Sequence, residues 1–277
     1  MIENYLDKLP WDKDILNQSM HYSLIGGGKR IRPVLALASA DAVGGDLETI
    51  LPAAVSLELI HTYSLIHDDL PAMDNDDYRR GRLSNHKVFG EANAILAGDA
   101  LLTYAFELLA DPRVGHPERQ LRIIREVSVA AGKDGMVGGQ VADVAGEGKT
   151  LNLAEIEKIH KGKTGALLTA SARLGGILAG GTEGQLKALT DYSQALGLAF
   201  QIKDDILDVV GNSEILGKPA GSDLRQGKAT YVSLLGLEGA EYQLHDQILK
   251  AQSSLKPFDE GAIFLSELAN FIEQRQH

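Results

Sequence analysis

Cysteine is absent from the sequence, which excludes disulfides, thiolate nucleophiles and zinc–thiolate sites. The absence agrees with a reducing compartment. Aromatic residues make up only 5% of the chain. Segments that alternate apolar and polar between turn residues are nearly missing, so little β-structure is expected. Positive charge is also short: 27 Lys and Arg stand against 38 Asp and Glu, a net charge of −11. A general nucleic-acid binder needs clustered basic groups, so that class is set aside. No apolar run approaches the roughly 18 residues needed to span a bilayer. The opening stretch MIENYLDKLPWDKD is polar and has no signal-peptide apolar region. The expectations are therefore no membrane span, no nucleic-acid partner and a cytoplasmic location.

What is abundant is helical periodicity. Leu47, Ile50, Leu51, Ala54, Val55, Leu59 and Leu65 follow the i, i+3, i+4, i+7 pattern. Comparable segments cover about 33–43, 91–110, 117–139, 153–180, 184–210, 229–252 and 260–274. Glycines gather at the breaks, and no linker-like composition or short repeat interrupts the 277 residues. The pattern predicts a single all-α domain over 1–277. Its longest break, GNSEILGKPAGSDLRQG, covers 211–227. Long loops in compact domains are uncommon and often functional. Lys218 and Lys228 are either phosphate contacts on a lid or ordinary surface lysines, and position alone favours the second reading.

Charge is distributed unevenly. SLIHDDLPAMDNDDYRRGR (64–82) holds five aspartates within ten positions and then three arginines. Like charges this close cost stability unless a cation offsets them. Asp74 follows Asp68 by six residues, about 120° off its face on a straight helix. Pro71 disfavours an unbroken helix here, and a bend there would return Asp74 toward Asp68. Arg79, Arg80 and Arg82 then offer forks suited to phosphate oxygens. A second cluster, FQIKDDILDVV, sets Asp204 and Asp208 about 40° apart on one helix face, with Gln201 beside them. Such carboxylates suit Mg²⁺ shared with phosphate; an exposed acidic turn neutralised by Lys203 fits this motif equally well. In GGGKRIRP (26–33), Lys29, Arg30 and Arg32 stand at a helix start, where free N–H groups attract anions. A basic helix-capping turn explains that motif alone just as well.

Three rival sites fail. An EF-hand loop from Asp74 would put Tyr78 and Arg79 where an oxygen donor and glycine belong. The GKT triplets at 148–150 and 162–164 have Asp143 and Glu157 at the glycine positions of a Walker loop. His67 beside Asp68 lacks the further histidines of a metal-dependent phosphohydrolase.

Taken together, GGGKRIRP, HTYSLIHDDLPAMDNDDYRRGR, FGEANAILAGDALL, GGQVAD, KTGAL, FQIKDDILD and GKPAGSDLRQGKATY run in order from 26 to 231. In that order they resemble the trans-prenyltransferases, the short-chain isoprenyl diphosphate synthases, and among them the bacterial-type farnesyl diphosphate synthases. The resemblance implies an isoprenoid-synthase-type helical bundle around a deep central cavity, generally as a homodimer. It implies Mg-dependent head-to-tail condensation of isopentenyl diphosphate with an allylic diphosphate, through an allylic carbocation. By the same resemblance, Asp68, Asp69, Asp74, Asp204 and Asp208 would hold three Mg²⁺, with Asp205 completing the second motif. Arg79, Lys163, Thr164, Gln201, Lys218 and Lys228 would surround the allylic diphosphate. Gly28, Lys29, Arg32, His61 and Arg80 would hold isopentenyl diphosphate.

A geranylgeranyl or geranyl diphosphate synthase differs only in cavity depth. A terpene cyclase usually carries an N/D-S/T-E second motif where DDILD stands here, and a catalytically silent regulatory subunit typically loses aspartates that are intact here. Tyr63 and Ser64, about one turn before Asp68, occupy the positions whose bulk sets product length in the family; Tyr63 is otherwise a core aromatic. Aromatic Tyr63 with small Ser64 resembles the C15 pattern. Ser64→Phe is expected to shorten the product toward geranyl diphosphate and Tyr63→Ala to lengthen it. Chromatography of the products checks both, and unchanged products from both variants would sink the assignment.

Overall fold

In the computed structural model, residues 1–210 and 229–276 are described. The first turns of the chain give two short helices, α1 (Ile2–Asp7) and α2 (Ile15–Leu24), the second started by Asp14, whose side chain accepts from the Asn17 N–H at 3.0 Å. Neither was legible as a periodic segment. α3 (Ile31–Val43) opens on GGGKRIRP with Pro33 in its first turn, as expected. α4 (Leu47–Asp68) is capped by Asp46, which accepts from the N–H of Glu48, and ends at the first aspartate cluster.

After it come a two-stranded hairpin, β1 (Tyr78–Arg79) and β2 (Arg82–Leu83), then α5 (Asn85–Phe89) and α6 (Glu91–Leu109). The helix expected over 117–139 is two: α7 (Pro117–Ala131) and α8 (Met136–Gly146). Gly132 leaves the helix at φ −86°, ψ −155° and breaks the ladder between them. The segment 153–180 is likewise divided, into α9 (Leu153–His160), a π-helical turn (Lys161–Gly165) and α10 (Ala166–Leu178). α11 (Glu183–Val210), α12 (Tyr231–Ser254) and α13 (Ile263–Gln274) complete the described architecture.

Two apolar cores share one seam. The first gathers α4 and α6 through Leu57, Ile60, Leu101 and Ala105; the second gathers α11, α12 and α13 through Tyr192, Leu196, Leu244 and Leu265. α3 and α10 belong to both. Ala36 and Ala40 of α3 and Leu167 and Leu174 of α10 face the first core, whereas Leu35, Ala38, Leu168 and Ala172 face the second. The seam is close enough that a Cβ on Gly175 would lie 1.9 Å from the Ala36 carbonyl oxygen. α4 and α6 are long and apolar enough by length and composition to cross a bilayer, contrary to the expectation from uninterrupted apolar runs. For α4, 72% of the apolar window is buried inside the protein, which marks it as a core helix.

Because backbone atoms on α3 leave no room to give way, Gly175→Ala is expected to destabilise the fold by about 2–3 kcal/mol. Denaturant unfolding of the variant checks this; an unchanged midpoint would mean the α3–α10 seam relaxes at little cost.

Candidate functional site

Both aspartate motifs lie at helix ends. At the end of α4 the chain turns through Pro71, and the N–H of Asp74 donates to the Asp68 carbonyl at 2.8 Å. The bend expected at Pro71 therefore brings Asp74 back beside Asp68. Burial pushes the Asp68 carboxyl up to about 6, with Lys163 opposing the rise and Asp74 adding to it. Asp69 points elsewhere. It is buried and gripped by Arg79, whose Nε donates to Oδ1 at 2.9 Å. Burial still raises its carboxyl pKa against that pull. Asp76 approaches Arg79 at 3.4 Å, whereas Asp77 pairs with Lys87 at 2.9 Å.

The hairpin separates the two arginines. Arg80 and Gly81 are its turn residues, both with positive φ (54° and 75°), as a two-residue hairpin turn requires. Arg79 stays on the strand beside Asp69, while Arg80 swings toward α3. Its guanidinium lies so close to Gly28 that a Cβ there would stand 2.5 Å from Nη1. The guanidinium is the end of a flexible side chain and could give way, but Gly28 also has φ +132°, a backbone conformation that favours glycine.

Gly28, Lys29, Arg32, His61 and Arg80 all line one cavity of about 770 Å³, with Thr164, Leu168 and Phe200 on its other wall. Its charge is unbalanced. Glu58, the acid on its wall, is engaged by Arg30 at 2.7 Å, and Arg30 also takes Glu3 and the Leu24 carbonyl. Arg30 is thus a buried structural cation, the member of GGGKRIRP whose charge is taken up by Glu58 and Glu3 at the edge of the cavity it helps to line. The Nε of Arg32 is buried with no hydrogen-bond partner among the described residues, and burial lowers its pKa to about 10. Burial, then Arg32 and Arg80, hold His61 well below its usual range, so its ring is neutral at neutral pH. A pocket of cations with an unsatisfied guanidinium nitrogen suits a polyanion.

A second hollow of about 180 Å³ is lined by Lys163, Gln201, Asp204 and Asp205 together with Asp143 and His160. Lys163 projects from the π-helical turn, a feature frequent at functional sites, and donates to Asp143 at 2.7 Å. Asp143 ends GGQVAD, a motif visible in sequence whose acid had no role until the fold brought α8 to Lys163. Asp205 accepts the Tyr231 N–H at 2.8 Å and so faces the positive start of α12. Asp208 is buried. Asp204 is contacted by Arg275, 71 residues later, at 2.5 Å. No pattern in the sequence pointed to Arg275. Tyr63 is buried against the first core, its ring edge-on to His67 at 5.7 Å, and Ser64 Oγ donates to the His61 carbonyl at 2.9 Å. Lys218 and Lys228 lie outside the described residues.

Among the described residues no three His, Asp or Glu side chains converge to hold a cation by themselves. Each motif instead offers one or two carboxylates, which is how proteins bind Mg²⁺ when substrate phosphates supply the remaining oxygens.

The whole chain is similar to known proteins. The polyprenyl synthetase family model matches residues 13–260. The farnesyl diphosphate synthase of Geobacillus stearothermophilus is 50% identical over 279 residues, covering 100% of this chain and 93% of that one. The dimethylallyltranstransferase of Fischerella ambigua is 52% identical, covering 95% of this chain and 76% of its own length. Among solved structures, an FPP/GFPP synthase from Zymomonas mobilis superposes with a TM-score of 0.88 at 39% identity, covering 98% and 94% of the two chains.

The folded pKa of Asp68, about 6, lies above its ordinary 3.8. Its ionisation therefore opposes folding of the metal-free protein above pH 6, and the penalty fades as pH falls toward 4. Asp68→Asn is expected to stabilise the metal-free chain at pH 7.5 by about 1–2 kcal/mol, after allowing for solvent screening. The gain should shrink toward pH 4. Thermal melts in chelator check this, and a variant no more stable than the parent at pH 7.5 would contradict it.

Proposed function

The chain belongs to the polyprenyl synthetase family and is a prenyltransferase, and from that premise we propose how its residues divide the work. The reaction is head-to-tail condensation of isopentenyl diphosphate with dimethylallyl and then geranyl diphosphate, giving farnesyl diphosphate. The observation that carries the residue assignment is the unbalanced cavity. Lys29, Arg32 and Arg80 with the bare backbone at Gly28 suit the diphosphate of isopentenyl diphosphate, and neutral His61 supplies a hydrogen bond rather than a charge. Asp68 and Asp74 on one side and Asp204 and Asp208 on the other take the metal-bearing allylic diphosphate. Arg79, held by Asp69, and Lys163, held by Asp143, stand ready for its oxygens with Thr164 and Gln201. Lys218 and Lys228 join them in this reading.

Magnesium, when bound, neutralises the charge that grows on the departing diphosphate. Lys163 and Arg79 add fixed positive charge at the same place, which is electrostatic catalysis by groups already oriented. Leu168 and Phe200 give the cavity an apolar wall that keeps water from the allylic cation. The proton lost after attack by the alkene goes to the released diphosphate, so no dedicated side-chain base is needed. Exposed Ile95 and Leu96 on α6 support the homodimer that family membership suggests.

Incubating the purified protein with dimethylallyl and isopentenyl diphosphates, with and without Mg²⁺, tests the reading. Metal-dependent formation of farnesyl diphosphate is expected. A C20 end product would replace the chain length, and no condensation at all would remove the reading.

A further inference from the structure

Arg275, just past the end of α13, is nearly sealed from solvent, with 3% of its side chain exposed. A buried guanidinium is destabilising unless an anion and hydrogen bonds meet it. Its Nη2 donates to Asp204 Oδ1 at 2.5 Å and to the Phe200 carbonyl at 3.0 Å, and its Cζ lies 4.3 Å from the centre of the Phe200 ring. Asp204 is different: 44% of its side chain is exposed, so solvent and ions reach the carboxylate from the cavity side. Its other oxygen has Gln201 Nε2 at 3.4 Å. Its charge also reaches Lys29 on the wall of the larger hollow, whose pKa is lowered by burial and then by Arg275, with Asp204 opposing.

We propose that Arg275 is the resident counter-cation of Asp204, holding the carboxylate oriented while no metal is bound and weakening its affinity for a divalent ion. The inference rests on the reading of Asp204 as a metal-binding carboxylate. Two opposite effects follow from one contact. Holding Asp204 in a single orientation favours metal, since supporting hydrogen bonds steady a ligand. A positive charge behind the same carboxylate repels the ion even at the dielectric of water, and in this scheme the repulsion prevails. The net effect is a metal site that is weak in the bare protein and becomes favourable when the anionic diphosphate arrives. Arg275 is a positioning residue in this scheme and touches neither substrate nor reacting atoms.

Titrating the metal-free full chain with Mn²⁺ alone, with free Mn²⁺ read by electron paramagnetic resonance, tests the proposal without any turnover. Arg275→Gln should lower the half-saturating Mn²⁺ concentration by about three- to tenfold. Arg275→Lys, which keeps the charge, should stay close to the parent protein and also guards against misfolding of the glutamine variant, which melting curves would reveal. In an Asp204→Asn background the Arg275→Gln effect should vanish. An unchanged midpoint in Arg275→Gln overturns the proposal, as does a raised one, which would make the arginine a simple support for the ligand. No Mn²⁺ uptake by either protein overturns it too. Asp204→Asn separates the two levels. If it weakens Mn²⁺ binding while Arg275→Gln changes nothing, only the counter-cation role fails. If Asp204→Asn itself binds Mn²⁺ like the parent, the metal reading of that aspartate fails and takes this proposal with it.

Discussion

Crowding of like charges at the ends of α4 and α11 is the constraint on which the rest of the molecule depends. Some of that charge is offset within the protein: Arg79 holds Asp69, Lys163 holds Asp143, Arg30 holds Glu58 and Glu3, and Arg275 holds Asp204. Arg32 and Arg80 on one side, and Asp68 and Asp74 on the other, have no ion-pair partner among the described residues. Burial is the main cause of the shifts of Asp68, Arg32 and His61, and like-charged neighbours add to each. In the proposed function, a metal diphosphate supplies the charge of both signs that would offset these groups.

Such a site needs a stiff frame, since unpaired charges relax by moving apart. α3 and α10 supply it. Each presents one face to either core, and their backbones meet at Gly175 and Ala36 with no side chain between. The start of α3 and the π-helical turn before α10 are the segments that carry Lys29, Arg32, Lys163 and Thr164. The seam of the fold is therefore continuous with segments that line both hollows, while α4, α8, α9 and α11 supply the rest of their walls. Prenyl transfer, the activity of the family to which the chain belongs, benefits from such a frame, because catalysis by fixed charges needs those charges held in place.

Much of this was legible in the residues. Periodicity located α3, α4, α6 and α11 to within about two residues at each end, because amphipathic helices bury a face that the sequence displays. Pro71 foretold the bend that returns Asp74 to Asp68. The breaks at Gly132 and within 153–180 were not legible, since an isolated glycine can be tolerated inside a helix as well as end one. α1, α2 and α5 are too short to show a period. Asp143 stood inside a quoted motif without a partner, and its role depended on α8 reaching the turn at Lys163.

The all-α class, the two aspartate motifs and the basic turn at 26–33 follow from residue type and local spacing, and the order of residues displays them. Which charges are spent on one another is settled only by the folded chain. It pairs Arg30 with Glu58 and leaves Arg32 without an ion-pair partner among the described residues, sends Arg79 and Arg80 to different sides of a two-residue turn, and brings Arg275 to Asp204 across 71 residues. Pairing of that kind is set by distance in space and by burial, and neither quantity is written in the order of the residues.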